Sequence, residues 1–208
     1  MNNTHLLVTG FAPFDGRTVN SSWVAAKAIE NSYSDIKLDV LELPVVWGAP
    51  LRLLKAMCEK SAPSIIVSLG EGKPGQFEIE TVAHNFRKAR KDNNSDFPPS
   101  SKIKADGPES HFPNAPCEEF RQKLAEKFPV VLSDDAGSFL CEETLYTLEA
   151  LRLSNSDLRR TLFVHLPHYG TVLNDGRTVC DDTVLSEFAH HLIDTTLNIY
   201  REGTVITD

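Results

Sequence analysis

Short apolar runs recur along the chain and predict the strands of a sheet. Residues 64–69 (SIIVSL) form a continuous apolar run, which is typical of a strand buried on both faces. Residues 36–43 (IKLDVLEL) and 77–85 (FEIETVAHN) alternate apolar with polar positions, and this period of two predicts strands with one covered face. Further strands are predicted over the apolar runs at 5–9, 129–133 and 161–166.

Segments that favour helix separate these runs. Ser22 is expected to cap the first helix, and Pro50 suits the first turn of the second. The predicted helices cover residues 23–31, 50–60, 117–127, 141–153 and 183–200. Because strands and helices alternate, the predicted fold class is α/β, with a three-layer single domain over residues 1–208.

Two segments fit neither pattern. Residues 70–76 are rich in glycine and are interpreted as a turn after the buried strand. Residues 87–116 are polar, rich in Asn, Ser and Pro, and lack clear periodicity. Irregular segments of that length in a compact domain are often binding loops or lids, so this segment is a candidate to contact a substrate.

The composition is that of a globular protein, with 41% hydrophobic residues and a net charge of −8 from 21 basic and 29 acidic side chains. The acidic balance argues against nucleic acid as a partner, because phosphate contacts require clustered Lys and Arg. No apolar run approaches the roughly 18 residues of a membrane span, so no membrane partner is expected. The first ten residues lack the basic and then apolar order of a signal peptide.

The cysteines point to a reduced, cytoplasmic protein, because they lie far apart without a C-x-x-C pair; they are Cys58, Cys117, Cys141 and Cys180. Cys141 differs from the others because the small-residue turn DAGSFL precedes it and a predicted helix follows it. A helix N-terminus favours the thiolate through its dipole, and its free N–H groups can hold an oxyanion. Cys141 is therefore the candidate nucleophile, with a buried structural cysteine as the alternative.

A nucleophilic cysteine requires a base, and His165 is the candidate because it ends a predicted strand. His168 is the local competitor. Glu80 shares one strand face with Glu78 and is a candidate to orient the imidazole. The alternatives are a hydrogen-bonded core histidine for His165 and a solvated strand face for Glu80.

The sequence contains no motif for a metal or an organic cofactor, and none is expected. It has no phosphate-binding loop of the G-x-x-x-x-G-K-[ST] type, no H-E-x-x-H motif and no paired cysteine ligands. The pair His190 and His191 lies on the last predicted helix and is interpreted as a surface feature.

Five segments resemble, in the same order, the pyroglutamyl peptidase I family. Members of that family are cysteine peptidases that remove an N-terminal pyroglutamyl residue from peptides. The matching segments are LVTGFAPFDG at 7–16, LPVVWG at 43–48, IETVAHN at 79–85, DAGSFLC at 135–141 and FVHLP at 163–167. The resemblance covers about residues 5–170.

The resemblance implies a catalytic triad of Cys141, His165 and Glu80. It also implies an α/β/α sandwich around a mixed, mostly parallel sheet, assembled as a homo-oligomer, often a tetramer. The implied substrate is a peptide with an N-terminal pyroglutamate, whose lactam ring would bind in an apolar pocket. The residues assigned to that pocket are Phe11, Phe14, Glu71, Arg90, Phe139 and Leu140, with Arg90 directed at the active site.

The chain departs from the family pattern near the substrate. Glu142 and Glu143 follow the candidate nucleophile where the family typically has Asn, and Glu71 stands where Gln or Ala is common. Residues 91–97 (KDNNSDF) replace the pattern I-P-D-N-x-G. Two alternatives therefore stay open: a divergent amidase that acts on another N-acyl group, and a module that binds a peptide or metabolite without catalysis.

Overall fold

Strands and helices alternate along this computed structural model, which describes residues 4–202. The strands are β1 (His5–Phe11), β2 (Lys37–Leu43), β3 (Ile65–Glu71), β4 (Phe77–Glu80), β5 (Ala83–His84), β6 (Ser110–His111), β7 (Val130–Ser133) and β8 (Arg160–Leu166). The helices are α1 (Ser21–Ala28), α2 (Ala49–Ser61), α3 (Cys117–Leu124), α4 (Leu140–Ser154) and α5 (Asp182–Glu202). Most predicted elements lie where the sequence pattern places them, to within a helical turn.

Six of the strands form one sheet in the order β2-β1-β3-β8-β4-β7. The strands β2, β1, β3 and β8 are parallel, whereas β4 pairs antiparallel with β8 and parallel with β7. The sheet is therefore mixed and mostly parallel, as predicted. The reversal at β4 brings its side chains opposite those at the carboxyl end of β8.

Helices cover both faces of this sheet and complete the predicted α/β/α sandwich. The helices α1, α3 and α5 pack on the face that carries Leu6 and Val164. The helices α2 and α4 pack on the opposite face, which carries Leu7 and Phe163. Because side chains alternate across a strand, adjacent residues supply two separate cores.

The boundaries of α1 and β1 differ from the prediction because the two elements pack closely. Asn20 rather than Ser22 caps α1, since its side-chain oxygen accepts the Ser22 N–H at 3.0 Å. The strand β1 continues through Gly10 to Phe11. A side chain at Gly10 would collide with the Ser22 carbonyl, so the glycine permits this contact instead of ending the strand.

Two further predictions were wrong in detail. The glycine-rich segment does not begin as a turn, because β3 extends through Gly70 and Glu71 while it pairs with β8. The alternating stretch 77–85 is not one strand. It breaks after Glu80, and β5 leaves the main sheet to pair with β6.

The long irregular segment is held against the body of the protein. The Lys88 N–H donates to the Ser138 carbonyl at 2.7 Å, and the Asn93 N–H donates to the Val45 carbonyl at 2.9 Å. Within the described residues, no helix is long and apolar enough to cross a bilayer. The ends of the predicted domain, residues 1–3 and 203–208, lie outside the described residues.

Candidate active site

Cys141 lies in the first turn of α4, directly after a tight turn. Gly137 and Ser138 have φ angles of 84° and 58°, and the Gly137 N–H donates to Asp135 Oδ1 at 2.9 Å. The left-handed conformation costs a residue such as Ser138 roughly 1–2 kcal/mol. This turn presents Cys141 among the first N–H groups of α4, which a helix leaves without intrahelical partners.

His165 and Glu80 meet where β4 runs antiparallel to β8. His165 is buried near the carboxyl end of β8 and lies opposite Glu78 in the register. Glu80, two residues further along the same face, is its diagonal neighbour. The Glu80 Oε1 lies 2.6 Å from His165 Nδ1. Both glutamates are buried, so the hypothesis of a solvated strand face was wrong.

The Cys141 thiol lies close to the His165 imidazole, and the two groups interact electrostatically. Burial opposes the charged imidazolium, but the Cys141 thiolate and the Glu80 carboxylate outweigh it and raise the pKa of His165 to about 10. His165 therefore holds a proton at neutral pH. A protonated imidazole favours the thiolate form of a neighbouring cysteine, which is the nucleophilic form.

Two glycines make room for this arrangement, and sequence reasoning missed both. Gly70 pairs with His165 in the register between β3 and β8. A Cβ at Gly70 would lie 2.9 Å from both Cys141 Sγ and His165 Cδ2, and one at Gly72 would lie 2.7 Å from His165 Cβ. The sequence did offer an indication, because G-E-G at 70–72 directly follows a predicted buried strand. That segment was interpreted as a turn.

The other three thiols lack an activating environment. Burial raises the pKa of Cys58, that of Cys117 to about 11 and that of Cys180 to about 12. Cys117 is the first residue of α3, as the helix predicted over 117–127 implies, but it lacks the small-residue turn that precedes Cys141. Its Sγ faces the Glu80 carbonyl at 3.9 Å, so burial dominates the effect of the helix N-terminus there.

The candidate residues surround one cavity of about 180 Å³. Its volume suits a small ring rather than an extended side chain. Cys141 and His165 line the cavity. Glu80 does not line it but contacts His165 from behind the cavity wall. All six residues assigned to the pocket line the same cavity: Phe11, Phe14, Glu71, Arg90, Phe139 and Leu140.

Aromatic rings and a guanidinium form one wall of this cavity. The Phe139 ring packs edge-on against Trp47 at 5.1 Å between centroids, and Phe14 lies 6.2 Å away. The Arg90 guanidinium lies 4.5 Å from the Phe139 ring centre and bonds Asp15 at 3.2 Å. Arg90 thus places a cation beside an apolar pocket that contains the candidate nucleophile.

The Glu71 side chain bonds other protein groups, whereas its main-chain N–H and C=O point away from β8. Its Oε2 accepts the Ser21 N–H at 3.0 Å and the Ser21 hydroxyl at 2.8 Å, and its Oε1 pairs with Arg17. The Gly72 N–H donates to the Leu166 carbonyl at 2.8 Å. Because main-chain groups alternate in direction along a strand, those of Glu71 point away from β8, toward the side of β1.

The two glutamates that follow Cys141 have different surroundings. Glu143 is neutralised, because its Oε1 accepts Arg87 Nε at 2.8 Å and its Oε2 accepts the Gly48 N–H at 2.9 Å. Glu142 is fully buried beside the His84 main chain. Sequence reasoning did not single out Arg87, whose partner lies 56 positions away.

Glu78, Glu80 and His165 are the one group among the described residues with the spacing of metal ligands, within 4.8 Å of one another. The His165 Nδ1 is already engaged by Glu80. The Lys73 ammonium lies 3.7 Å from Glu78 Oε1, and its charge opposes a second cation there. The arrangement suits acid–base chemistry better than metal binding.

A larger cavity of about 810 Å³ lies at the other end of the sheet. It is lined by Thr4, Ile65 and Arg160, at the amino ends of β1, β3 and β8. None of the candidate residues contacts it. Ligands of open α/β sheets bind beyond the carboxyl ends of the strands, which is where the smaller cavity lies.

The chain is similar to known peptidases along most of its length. A family model described as pyroglutamyl peptidase matches residues 4–188. A pyrrolidone-carboxylate peptidase of Staphylococcus aureus is 34% identical over 167 residues, which are 79% of each chain.

Solved structures agree with the observed fold. The pyroglutamyl peptidase I of Bacillus amyloliquefaciens has a TM-score of 0.82 and 26% identity, covering 93% of this chain and 94% of that one. The pyrrolidone carboxyl peptidase of Fervidobacterium islandicum has a TM-score of 0.83 and 24% identity, covering 93% of this chain and 98% of that one. At 24% identity, the likeness to this second structure concerns the fold alone.

Proposed function

This chain belongs to the pyroglutamyl peptidase family, and from that premise we propose that Cys141, His165 and Glu80 are its catalytic triad. The protein is a cysteine peptidase that removes the N-terminal pyroglutamyl residue from peptides. One observation carries the assignment of the triad. The buried contact of 2.6 Å between Glu80 and His165 orients an imidazole that lines the same cavity as Cys141.

The first step is attack by the Cys141 thiolate on the carbonyl carbon of the pyroglutamyl residue. The new C–S bond moves the carbonyl electrons onto oxygen. The N–H groups at the start of α4 stabilise this oxyanion, and the Arg90 guanidinium adds positive charge nearby. Glu80 keeps the imidazole in the tautomer and orientation that transfer its proton.

His165 then donates its proton to the departing amine, and the C–N bond breaks to leave a thioester on Cys141. The neutral imidazole next takes a proton from water, which attacks the thioester and releases pyroglutamate. The Cys141 thiolate and the His165 imidazolium are thereby restored. No step requires a metal or an organic cofactor.

The lactam ring would bind in the cavity of about 180 Å³ with its ring carbons against Phe11, Phe14 and Phe139. Its N–H and C=O require partners, because an unpaired buried polar group costs about 1–3 kcal/mol. The Glu71 main chain is the source we assign, since Glu71 lines this cavity and its C=O and N–H point away from β8. Its carboxylate, held by Ser21, positions that main chain.

The test is hydrolysis of a fluorogenic pyroglutamyl amide by the wild type and by Cys141→Ala. The wild type should turn over the pyroglutamyl substrate faster than prolyl or acetyl analogues, and Cys141→Ala should lose all measurable activity. Cys58→Ala is the matched control, because Cys58 is buried in α2 outside the cavity. Equal turnover by Cys141→Ala would remove Cys141 from the mechanism.

We also propose that residues 1–208 act as one domain and that the protein is a cytoplasmic homo-oligomer, in keeping with the family's tetramers. All four cysteines are free thiols, which suits a reducing compartment. Phe97 and Phe112 are 58% and 68% exposed in the long segment, and we take them as candidates to lie at the interface between subunits. Sedimentation velocity would give the mass in solution, and a monomer at micromolar concentration would contradict the proposal.

A further inference from the structure

Glu142 is a buried acid placed directly beside the candidate nucleophile. It follows Cys141 in the first turn of α4, and none of its surface is exposed. Its Oε1 accepts the His84 N–H at 2.6 Å. Its Oε2 is buried and has no hydrogen-bond partner among the described residues. An ionised carboxylate at this position would lack half of the hydrogen bonds that it requires.

The charged groups around Glu142 do not neutralise it. Glu80 on β4 and Asp135 in the turn before α4 are both acidic and repel a second carboxylate. Among the residues that the structure describes, the basic group that acts on it is His84 on β5, and its exposed ring faces the Asp134 carbonyl at 3.0 Å. Glu143, the next residue, differs from Glu142 because the Arg87 guanidinium pairs with its carboxylate directly.

These surroundings favour the protonated acid. Burial, with repulsion from Glu80 and Asp135, raises the pKa of Glu142 to about 7 although the His84 N–H lowers it. The protonated form also carries an O–H donor.

We propose that Glu142 is a positioning residue that supports catalysis as a neutral carboxylic acid, and that its ionisation sets an alkaline limit on the peptidase. The inference rests on the proposed role of Cys141. An ionised Glu142 adds a negative charge to the first turn of α4, the turn that carries Cys141 and the N–H groups assigned to the oxyanion. The thiolate and the oxyanion are themselves negative, so the charge disfavours the nucleophile and the tetrahedral intermediate.

The direction of the pH effect follows from the two titrations. His165 keeps its proton well above neutral pH, so the imidazolium persists while Glu142 loses its proton. Activity should therefore fall as the pH rises through the titration of Glu142. In Glu142→Gln the side chain is neutral at every pH and keeps a donor, so this fall should disappear.

The experiment measures kcat/KM for a fluorogenic pyroglutamyl amide between pH 5.5 and 9 in the wild type and Glu142→Gln. We expect the wild type to lose about fivefold between pH 6.5 and 8.5 and the variant to lose less than about twofold. Glu149→Gln is the matched control, because Glu149 is also buried on α4 but is paired with Arg152 and lies about two turns from Cys141. Its profile should follow the wild type.

Two further readouts keep the inference testable if Glu142→Gln folds poorly or the substrate is not cleaved. The alkylation of Cys141 by iodoacetamide reports the thiolate without any substrate; at pH 8 it should be about threefold faster in Glu142→Gln or Glu142→Asn than in the wild type. Infrared difference spectra should show a protonated carboxylic acid at pH 6 in the wild type that is absent from these variants. Identical pH profiles and alkylation rates would overturn the role of Glu142. Absent turnover with the expected alkylation difference would instead reject the proposed substrate.

Discussion

The absence of a side chain at Gly70 leaves space for the Cys141 thiol and the His165 imidazole. The hypothetical Cβ of Gly70 would lie 2.9 Å from Cys141 Sγ and 3.0 Å from Phe163 Cζ. We expect Gly70→Ala to lower kcat about a hundredfold, because small displacements of reacting atoms are costly. Gly170→Ala is the control: the position has φ of 77° and open space around it, so stability should fall while kcat is kept. Unchanged kcat in Gly70→Ala would contradict the geometry.

Glu80 acts on the reaction only through His165. Glu80→Gln keeps the size of the side chain but removes the charge that favours the imidazolium, so we expect kcat to fall about a hundredfold with little change in KM. The pKa of His165 should also fall, because the carboxylate is one of the groups that raise it. Steady-state kinetics across pH would measure both effects.

Glu78→Gln is the matched control for this test, since Glu78 is buried on the same face of β4 but does not bond His165. It should keep kcat within about tenfold of the wild type. A loss confined to KM in Glu80→Gln would instead make Glu80 a substrate-binding residue.

At the scale of elements, a buried ion pair joins the long irregular segment to the start of α4. The Arg87 side chain bonds Glu143 and also donates to the Lys102 carbonyl at 2.6 Å. Trp47 connects the loop before α2 to the same segment, because its indole N–H donates to the Arg90 carbonyl at 3.0 Å. The segment is therefore fixed at the helix that carries Cys141, which explains why Arg90 reaches the cavity.

Arg87→Ala should lower the free energy of unfolding by about 3–5 kcal/mol, because it leaves the Glu143 charge buried without its partner. The double variant Arg87→Leu with Glu143→Leu should recover much of that loss, since it buries no charge. Urea unfolding of the two variants and the wild type would measure both values. Equal destabilisation by the single and double variants would mean that shape rather than charge holds the segment.

At the scale of the whole molecule, stability should depend on pH through Glu142. Its pKa is raised by burial to about 7 in the folded protein, above the value of about 4.3 for an unfolded chain. Between these two pKa values the folded protein keeps a proton on Glu142 that the unfolded chain has lost. The contribution of Glu142 to the free energy of unfolding is therefore fully present at low pH and is lost as the pH rises to about 7. Above that pH the loss is complete.

Glu142→Gln should remove this dependence. The melting temperature of the variant minus that of the wild type should increase by about 5 °C or more between pH 4.5 and pH 7.5. Differential scanning calorimetry at the two pH values would measure the change, with Glu149→Gln as the reference for a buried acid that is already paired. A constant difference between wild type and Glu142→Gln would show that Glu142 ionises normally in the folded state.

The sequence alone determined the features that depend on local order. Alternating strands and helices predicted the α/β sandwich, and the turn DAGSFL before a helix was enough to select Cys141. Periodicity also placed Glu78 and Glu80 on one face. It could not say whether solvent or a helix covers that face, because burial depends on which elements pack together.

Only the tertiary structure decided how distant residues meet. The antiparallel pairing of β4 with β8 makes Glu80 the diagonal neighbour of His165, although the two are 85 positions apart. Gly70 matters because Cys141 packs above it, and Glu142 differs from Glu143 because Arg87 reaches only one of them. Strand direction, packing and the position of charges are properties of the assembled sheet and helices, and no local pattern along the chain encodes them.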